Sequence, residues 1–275
     1  MYSDTHFHFF TLTEGNAETG SEILSEMAKS RASFALDVGR RADDLAERIE
    51  HFEESLNLIE DSVLRGRAKK MTYFSAGIAP DEDSIQNGYD LEEVLEEQIE
   101  DTERLAAIGE CGLDHVAENF WEYLEEERDL FLMQIKIAKK LQLPLIIHSK
   151  EAFEDTLSCL DEGNYHKGII HNFSYGEKEA KAFLDRGYYI SLAGDITYTK
   201  KNNLYELENL LRYIPDNRLL VESNAPHYAP VPFKGDVNTP LLIRYTYDFI
   251  AAKKGITVEK LCKNVDENCK LLFKI

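Results

Sequence analysis

Eight short apolar runs, separated by longer stretches in which charged and apolar residues alternate at helical spacing, set the strongest limit on what this chain can fold into. The runs are YSDTHFHF, ASFALDVG, MTYFSAGIAP, LAAIGECG, LPLIIHS, KGIIHNFS, GYYISLAG and NRLLVESN. Helical patterns lie between them at about 21–30, 42–64, 90–104, 119–141, 151–162, 176–186 and 203–212, with two more after 238. Strict alternation of strand and helix implies a parallel sheet. Eight such units fit a (β/α)8 TIM barrel best, with a doubly wound open sheet as the runner-up. The 275 residues carry no Pro/Gly/Ser-rich linker, low-complexity tract or long repeat, so residues 1–275 read as one barrel domain.

The first run carries an unusual polar face. A strand sends Asp4, His6 and His8 to one side and Thr5, Phe7 and Phe9 to the other. One buried histidine is ordinarily a hydrogen-bonded core residue, but two imidazoles on one face point to a shared metal. Further ligand types stand at the ends of other runs: Glu110 in IGECGLD, His148 in PLIIHSK and His171 in GIIHNFS. In a barrel these strand ends converge on one mouth, where active sites are built. His115 and His227 follow strands 4 and 8 and can border that mouth. His166 falls in a loop, and His51 lies in a charged helix pattern that reads as exposed.

Composition narrows the partners. A formal charge of −20 disfavours a surface that attracts phosphate backbones nonspecifically, so any nucleic-acid contact must be local. Acidic runs such as LEEVLEEQIED read as solvated helix faces. Cys111, Cys159, Cys262 and Cys269 form no CxxC pair and read as free thiols. No run approaches the roughly 18 apolar residues of a membrane span, and no leader pattern opens the chain. The expectation is a soluble cytoplasmic protein with no membrane partner and no obligate protein partner.

Six segments, DTHFH (4–8), IGECGLD (108–114), LPLIIHSKEA (143–152), GIIHNFS (168–174), ISLAGDIT (190–197) and LLVESNAPHYAP (219–230), together resemble the TatD family of metal-dependent deoxyribonucleases, among the amidohydrolase-like barrels. They run in family order over nearly the whole chain. The resemblance implies one or two divalent ions (Zn, Mn or Mg) and hydrolysis of phosphodiester bonds in DNA or an oligonucleotide. It implies that His6 and His8 hold one ion and His148 and His171 the second, with Glu110 bridging. Such a pair can polarise a phosphate, lower the pKa of a bound water and stabilise the leaving oxygen.

Departures from the family cluster near strand 8. Where the family reads Glu-Thr-Asp, this chain reads Glu222, Ser223, Asn224. The family aspartate binds the first metal and takes a proton from the attacking water; Asn224 keeps the shape, coordinates weakly and cannot act as a base, a role commonly worth ~10²- to 10⁴-fold in rate. Asn before Ala225-Pro226 is also a natural turn residue. His227 stands where the family has an aromatic, KGDVNTP (234–240) carries fewer positive charges than the family segment, and Lys150 replaces an arginine, keeping the charge without the fork. Lys150 and His227 are the candidate substrate contacts. Asp195, ending strand 7 beside strand 8, is a candidate to approach the first ion. Two other readings stay open: hydrolysis of a small amide, ester or phosphoester on the same scaffold, and a catalytically impaired relative used for binding.

Overall fold

The computed structural model describes residues 2–81, 90–100, 102–116 and 120–275. Parallel strands pair in sequence order: β1 (Ser3–Phe7), β2 (Phe34–Asp37), β3 (Thr72–Ala76), β4 (Leu105–Asp114), β5 (Leu145–Lys150), β6 (Gly168–Ile170), β7 (Tyr189–Leu192) and β8 (Leu219–Val221). The helices among the described residues are α1 (Phe9–Thr13), α2 (Ala17–Lys29), α3 (Leu45–Asn57), α4 (Ser62–Met71), α5 (Leu91–Ile99), α6 (Leu124–Leu141), α7 (Phe153–Gly163), α8 (Glu177–Asp185), α9 (Leu204–Tyr213), α10 (Ile243–Lys254) and α11 (Val258–Phe273). The last strand returns to the first. Thr5 Oγ1 donates to Val221 O at 3.3 Å and the Asn224 N–H donates to His6 O at 2.8 Å. The fold is the TIM barrel that the alternation of runs implies. Residues 101 and 119, which fall in two of the expected helical spans, lie outside the described residues.

The two faces of β1 separate as its sequence alternates. His6 stacks on His171 from β6, across the barrel, with ring centroids 4.1 Å apart. Phe9, on the other face, meets Phe52 of α3. The strand ends at Phe7 because the Phe9 N–H leaves the ladder for Asp37 Oδ1, 2.9 Å away, and the chain turns into α1 with His8 at its N-cap. At Glu110 the fourth strand is distorted: the Gly109–Glu110 peptide is cis, the register shifts between Ile108 and Cys111, and the Glu110 N–H donates to Gly39 O at 2.8 Å. Glycine is required twice here. Gly109 has φ 139°, and a Cβ on Gly77 would lie 2.4 Å from Gly109 Cα.

Two details differ from the sequence expectation. The single helix expected over 42–64 is two, because Asp61 accepts from the Val63 and Leu64 N–H groups and starts α4 afresh. His51 is buried rather than exposed. Its Nε2 lies 2.7 Å from Thr13 Oγ1 and its ring packs on Phe9 and Phe10, since α1 folds back over α3. All four cysteines are buried and unbridged. No described helix is long and apolar enough to cross a membrane.

Arg48 of α3 ties the first strands together from within. It reaches Asp37 Oδ2 at 3.1 Å, Asp44 Oδ1 at 2.9 Å and Ser75 O at 2.6 Å, and it is 5% exposed. Burial raises the Asp37 carboxyl even against the Arg48 guanidinium beside it. Removing the cation strands a buried carboxylate, a loss of ~3–5 kcal/mol in comparable pairs. Arg48→Met therefore lowers the urea unfolding free energy by about that amount. Adding Asp37→Asn recovers part of the loss, because the amide oxygen still accepts the Phe9 N–H.

Candidate metal centre

Four imidazoles from three strand ends surround one carboxylate. Glu110 Oε1 lies 3.0 Å from His148 Nδ1 and 3.1 Å from His171 Nε2, and those two nitrogens are 3.1 Å apart. Glu110 Oε2 faces the other pair, 3.8 Å from His6 Nε2 and 3.7 Å from His8 Nε2, which are 3.2 Å from each other. Each carboxylate oxygen thus addresses one pair of rings. His6, Glu110 and His171 form a buried cluster able to hold a metal ion, their donor atoms within 4.8 Å of one another.

The nitrogens facing outward decide what the inner ones offer. His8 Nδ1 lies 2.9 Å from Val38 O, so it carries the proton and leaves a lone pair on Nε2. His148 Nε2 points to Asp114 Oδ2 at 2.8 Å, and His171 Nδ1 to Glu222 Oε1 at 3.2 Å. Glu222 is itself fixed by the Asn172 N–H at 2.9 Å. His6 Nδ1 is buried without a hydrogen-bond partner among the described residues, and its Nε2 faces the cluster. Outer acceptors that orient imidazoles in this way are the usual support of metal-binding histidines. Inner lone pairs gathered round a carboxylate repel one another unless a cation lies among them, so the donor set fits divalent ions.

The two halves of the cluster shift in opposite directions. Burial opposes the ionised Glu110, yet His171 and His148 outweigh it and hold the carboxyl well below its ordinary range. Burial likewise opposes a charged His171, but Glu110 and Glu222 raise it to about 10. On the other side burial prevails, lowering His6 well below its ordinary value and His8 to about 4.

The remaining sequence candidates divide by position. Asn224 is buried with φ 53°, a left-handed conformation that Asn tolerates; its N–H donates to His6 O and its carbonyl accepts the His227 N–H at 2.8 Å. His227 borders the cluster, its ring 6.4 Å from that of His8, and burial and then Arg40 lower its pKa. Lys150 stands outside the inner donors, its ammonium 5.7 Å from the Tyr228 ring centroid. His115 turns away, with Nε2 3.4 Å from Glu127 Oε2 and Nδ1 3.8 Å from Asp155 Oδ2. Asp195 lies in the fields of Lys150 and Glu222 and is not part of the donor cluster among the described residues. Asp4 accepts the His6 and Ser223 N–H groups and so binds β1 to the segment after β8. Asp114 and Glu222, which orient His148 and His171, were not singled out from the sequence. A signal existed for Asp114, four residues from Glu110 and hence on the same strand face.

A barrel with such a cluster where its strands end places the protein among the metal-dependent hydrolases. Residues 3–274 match the family model described as TatD related DNase. The chain is 35% identical over 205 residues, 74% of each protein, to the uncharacterized metal-dependent hydrolase YcfH of Escherichia coli (strain K12). It is 33% identical over 177 residues to the 3'-5' ssDNA/RNA exonuclease TatD of Salmonella typhimurium, covering 62% of this chain and 66% of that one. The crystal structure of YJJV, a TatD homolog from Escherichia coli k12, shares the fold with a TM-score of 0.81 at 23% identity, over 100% of this chain and 98% of the other. The chain belongs to the TatD family.

Behind Asp114, Glu127 of α6 accepts the Asp114 N–H at 2.8 Å, and burial raises its carboxyl to about 7 from 4.5. The folded state therefore holds this proton more tightly than the unfolded one. The stability it contributes is complete below pH 4.5 and is lost as pH rises through about 7. Glu127→Gln, which stays neutral, escapes that loss. Its unfolding free energy relative to the parent rises between pH 4.5 and 8 by up to ~2 kcal/mol once solvent screening is allowed for. Chemical denaturation across that range measures the difference.

Proposed function

We propose that this member of the TatD family hydrolyses phosphodiester bonds of DNA, with His6 and His8 holding one divalent ion, His148 and His171 a second, and Glu110 bridging. The observation that carries the reading is the division of the Glu110 carboxylate, one oxygen toward each imidazole pair. Zn and Mn suit mixed imidazole and carboxylate donors, and Mg is the third candidate. When bound, such ions supply Lewis acidity toward the phosphate and acidify a water. The name of the Salmonella relative, an ssDNA/RNA exonuclease, supports a nucleic-acid substrate.

The chain's own residues supply the rest. Glu222 and Asp114 hold the His171 and His148 rings so that their inner nitrogens stay aimed at Glu110. Asn224, whose backbone N–H is bonded to His6 O, would coordinate the first ion weakly through its amide oxygen and cannot take a proton from the attacking water. Lys150 offers a point charge to a phosphate oxygen, and His227 offers a polar ring beside His8. Asn224 also favours a second reading, a relative impaired in catalysis, and one experiment separates the two.

Purified protein reconstituted with Zn, Mn or Mg is tested on a labelled single-stranded oligonucleotide beside Asn224→Asp. The expected result is chelator-sensitive cleavage by both, faster by ~10²-fold or more in Asn224→Asp because that variant regains a base. Cleavage by the variant alone makes the chain an impaired relative. Retention of metal by both without cleavage by either overturns the nuclease reading. In parallel, His6→Ala is expected to lose about one equivalent of metal by elemental analysis while its thermal melt stays cooperative; full metal content in that variant overturns the ligand assignment.

A further inference from the structure

A row of rings leads outward from the metal centre. The His8 and His227 rings are 6.4 Å apart, and those of His227 and Tyr228 are 6.2 Å apart. Tyr228 is 38% exposed, and the Lys150 ammonium stands 5.7 Å from its centroid. One residue further on, Ala229 O accepts the Tyr198 hydroxyl at 2.6 Å, and the Lys234 ammonium lies 4.2 Å from the Tyr198 centroid. Tyr198 also walls a cleft of about 790 Å³ shared with Tyr175, Asp195, Lys200, Asn203 and Glu206. An aromatic ring with a lysine ammonium over its face thus occurs twice in succession, beyond His227.

This pattern matches what single strands of nucleic acid need, a stacking surface for each base and a positive charge for each phosphate. A duplex cannot use it, because its bases are already stacked on their neighbours. The acidic balance of the whole chain means that a polyanion has to be met by a local arrangement of this kind. We propose that Tyr228 and Tyr198, with Lys150 and Lys234, form a track that holds two consecutive nucleotides of a single-stranded oligonucleotide, the first next to the phosphate at the metal centre. Each base stacks on its ring in place of the lysine ammonium that lies over it, and the displaced ammonium meets the adjoining phosphate, away from Glu206 on the cleft wall. The proposal rests on the phosphodiesterase reading only for the position of its first phosphate.

The test uses metal-loaded protein and a fluorescent phosphorothioate hexathymidylate, which resists cleavage, beside an abasic strand with the same backbone. Wild-type protein is expected to prefer the base-carrying strand by about 10-fold. Tyr228→Asn, which tolerates the positive φ of this position, abolishes most of that preference, and Tyr228→Phe retains it. Lys150→Gln with Lys234→Gln leaves the base preference but lowers the slope of log affinity against log salt by ~1.4, the value for two phosphates on a single strand. Equal binding of the two strands by wild-type protein, or an unchanged base preference in Tyr228→Asn, overturns the track. Hydrolysis of the chromogenic diester thymidine 5'-p-nitrophenyl phosphate, assayed on wild-type protein, tests the phosphodiesterase reading independently. Turnover of that diester with no base preference defeats the track alone, and base preference without turnover upholds the track while defeating the phosphodiesterase.

Discussion

A single buried carboxylate organises this barrel. Glu110 is 6% exposed and stands among four imidazoles, so its charge has no access to bulk water and must be met locally. Every other feature of the site follows from that need. His148 and His171 are turned inward by Asp114 and Glu222, His8 by the Val38 carbonyl. The carboxylate itself is placed by a local break in β4, where its N–H abandons the strand ladder for Gly39 O. Gly39 in turn donates to Ser75 Oγ, and the Ser75 carbonyl accepts Arg48, so the buried pair of Arg48 with Asp37 supports the site as well as the fold.

Much of this was legible in the sequence because two simple periods govern it. Alternation of period 2 separates His6 from Phe7, and its phase decides which enters the barrel. The repetition of strand and helix brings distant strand ends together, so His6, Glu110, His148 and His171 can be gathered before any coordinates are known. What escaped notice depends on contacts between elements that no local pattern encodes. The short α1 exists because Asp37, on a different strand, takes the Phe9 N–H; without that contact DTHFHFF reads as strand throughout. His51 belongs to a charged helix, and only the return of α1 covers it. Glu222 lies in a quoted motif, but its role as the partner of His171 depends on pairing across the barrel.

The departures of this chain from its family occur together on one side of the mouth. Asn224 and His227 flank the Ala225-Pro226 turn, with His227 beside His8, and Lys150 lies against Tyr228, the next residue along. Asparagine in place of aspartate removes a negative charge beside His6 and His8, whose pKa values burial already depresses. The two halves also differ in what backs their imidazoles: the carboxylates of Asp114 and Glu222 stand behind His148 and His171 on the Oε1 side, and the Val38 carbonyl behind His8 on the Oε2 side.

The bond from Ser223 N–H to Asp4 Oδ1 joins residues 219 positions apart. Together with the bonds from Asn224 to His6 and from His8 to Ala225, it makes the metal centre a meeting of the first strand with the last. During synthesis β1 leaves the ribosome well before β8, whose residues follow those of the six strands between them. The histidines of β1 must wait, without their final neighbours, for the chain to come full circle. The cluster on that side is thus assembled together with closure, so its geometry itself reports that the barrel is complete.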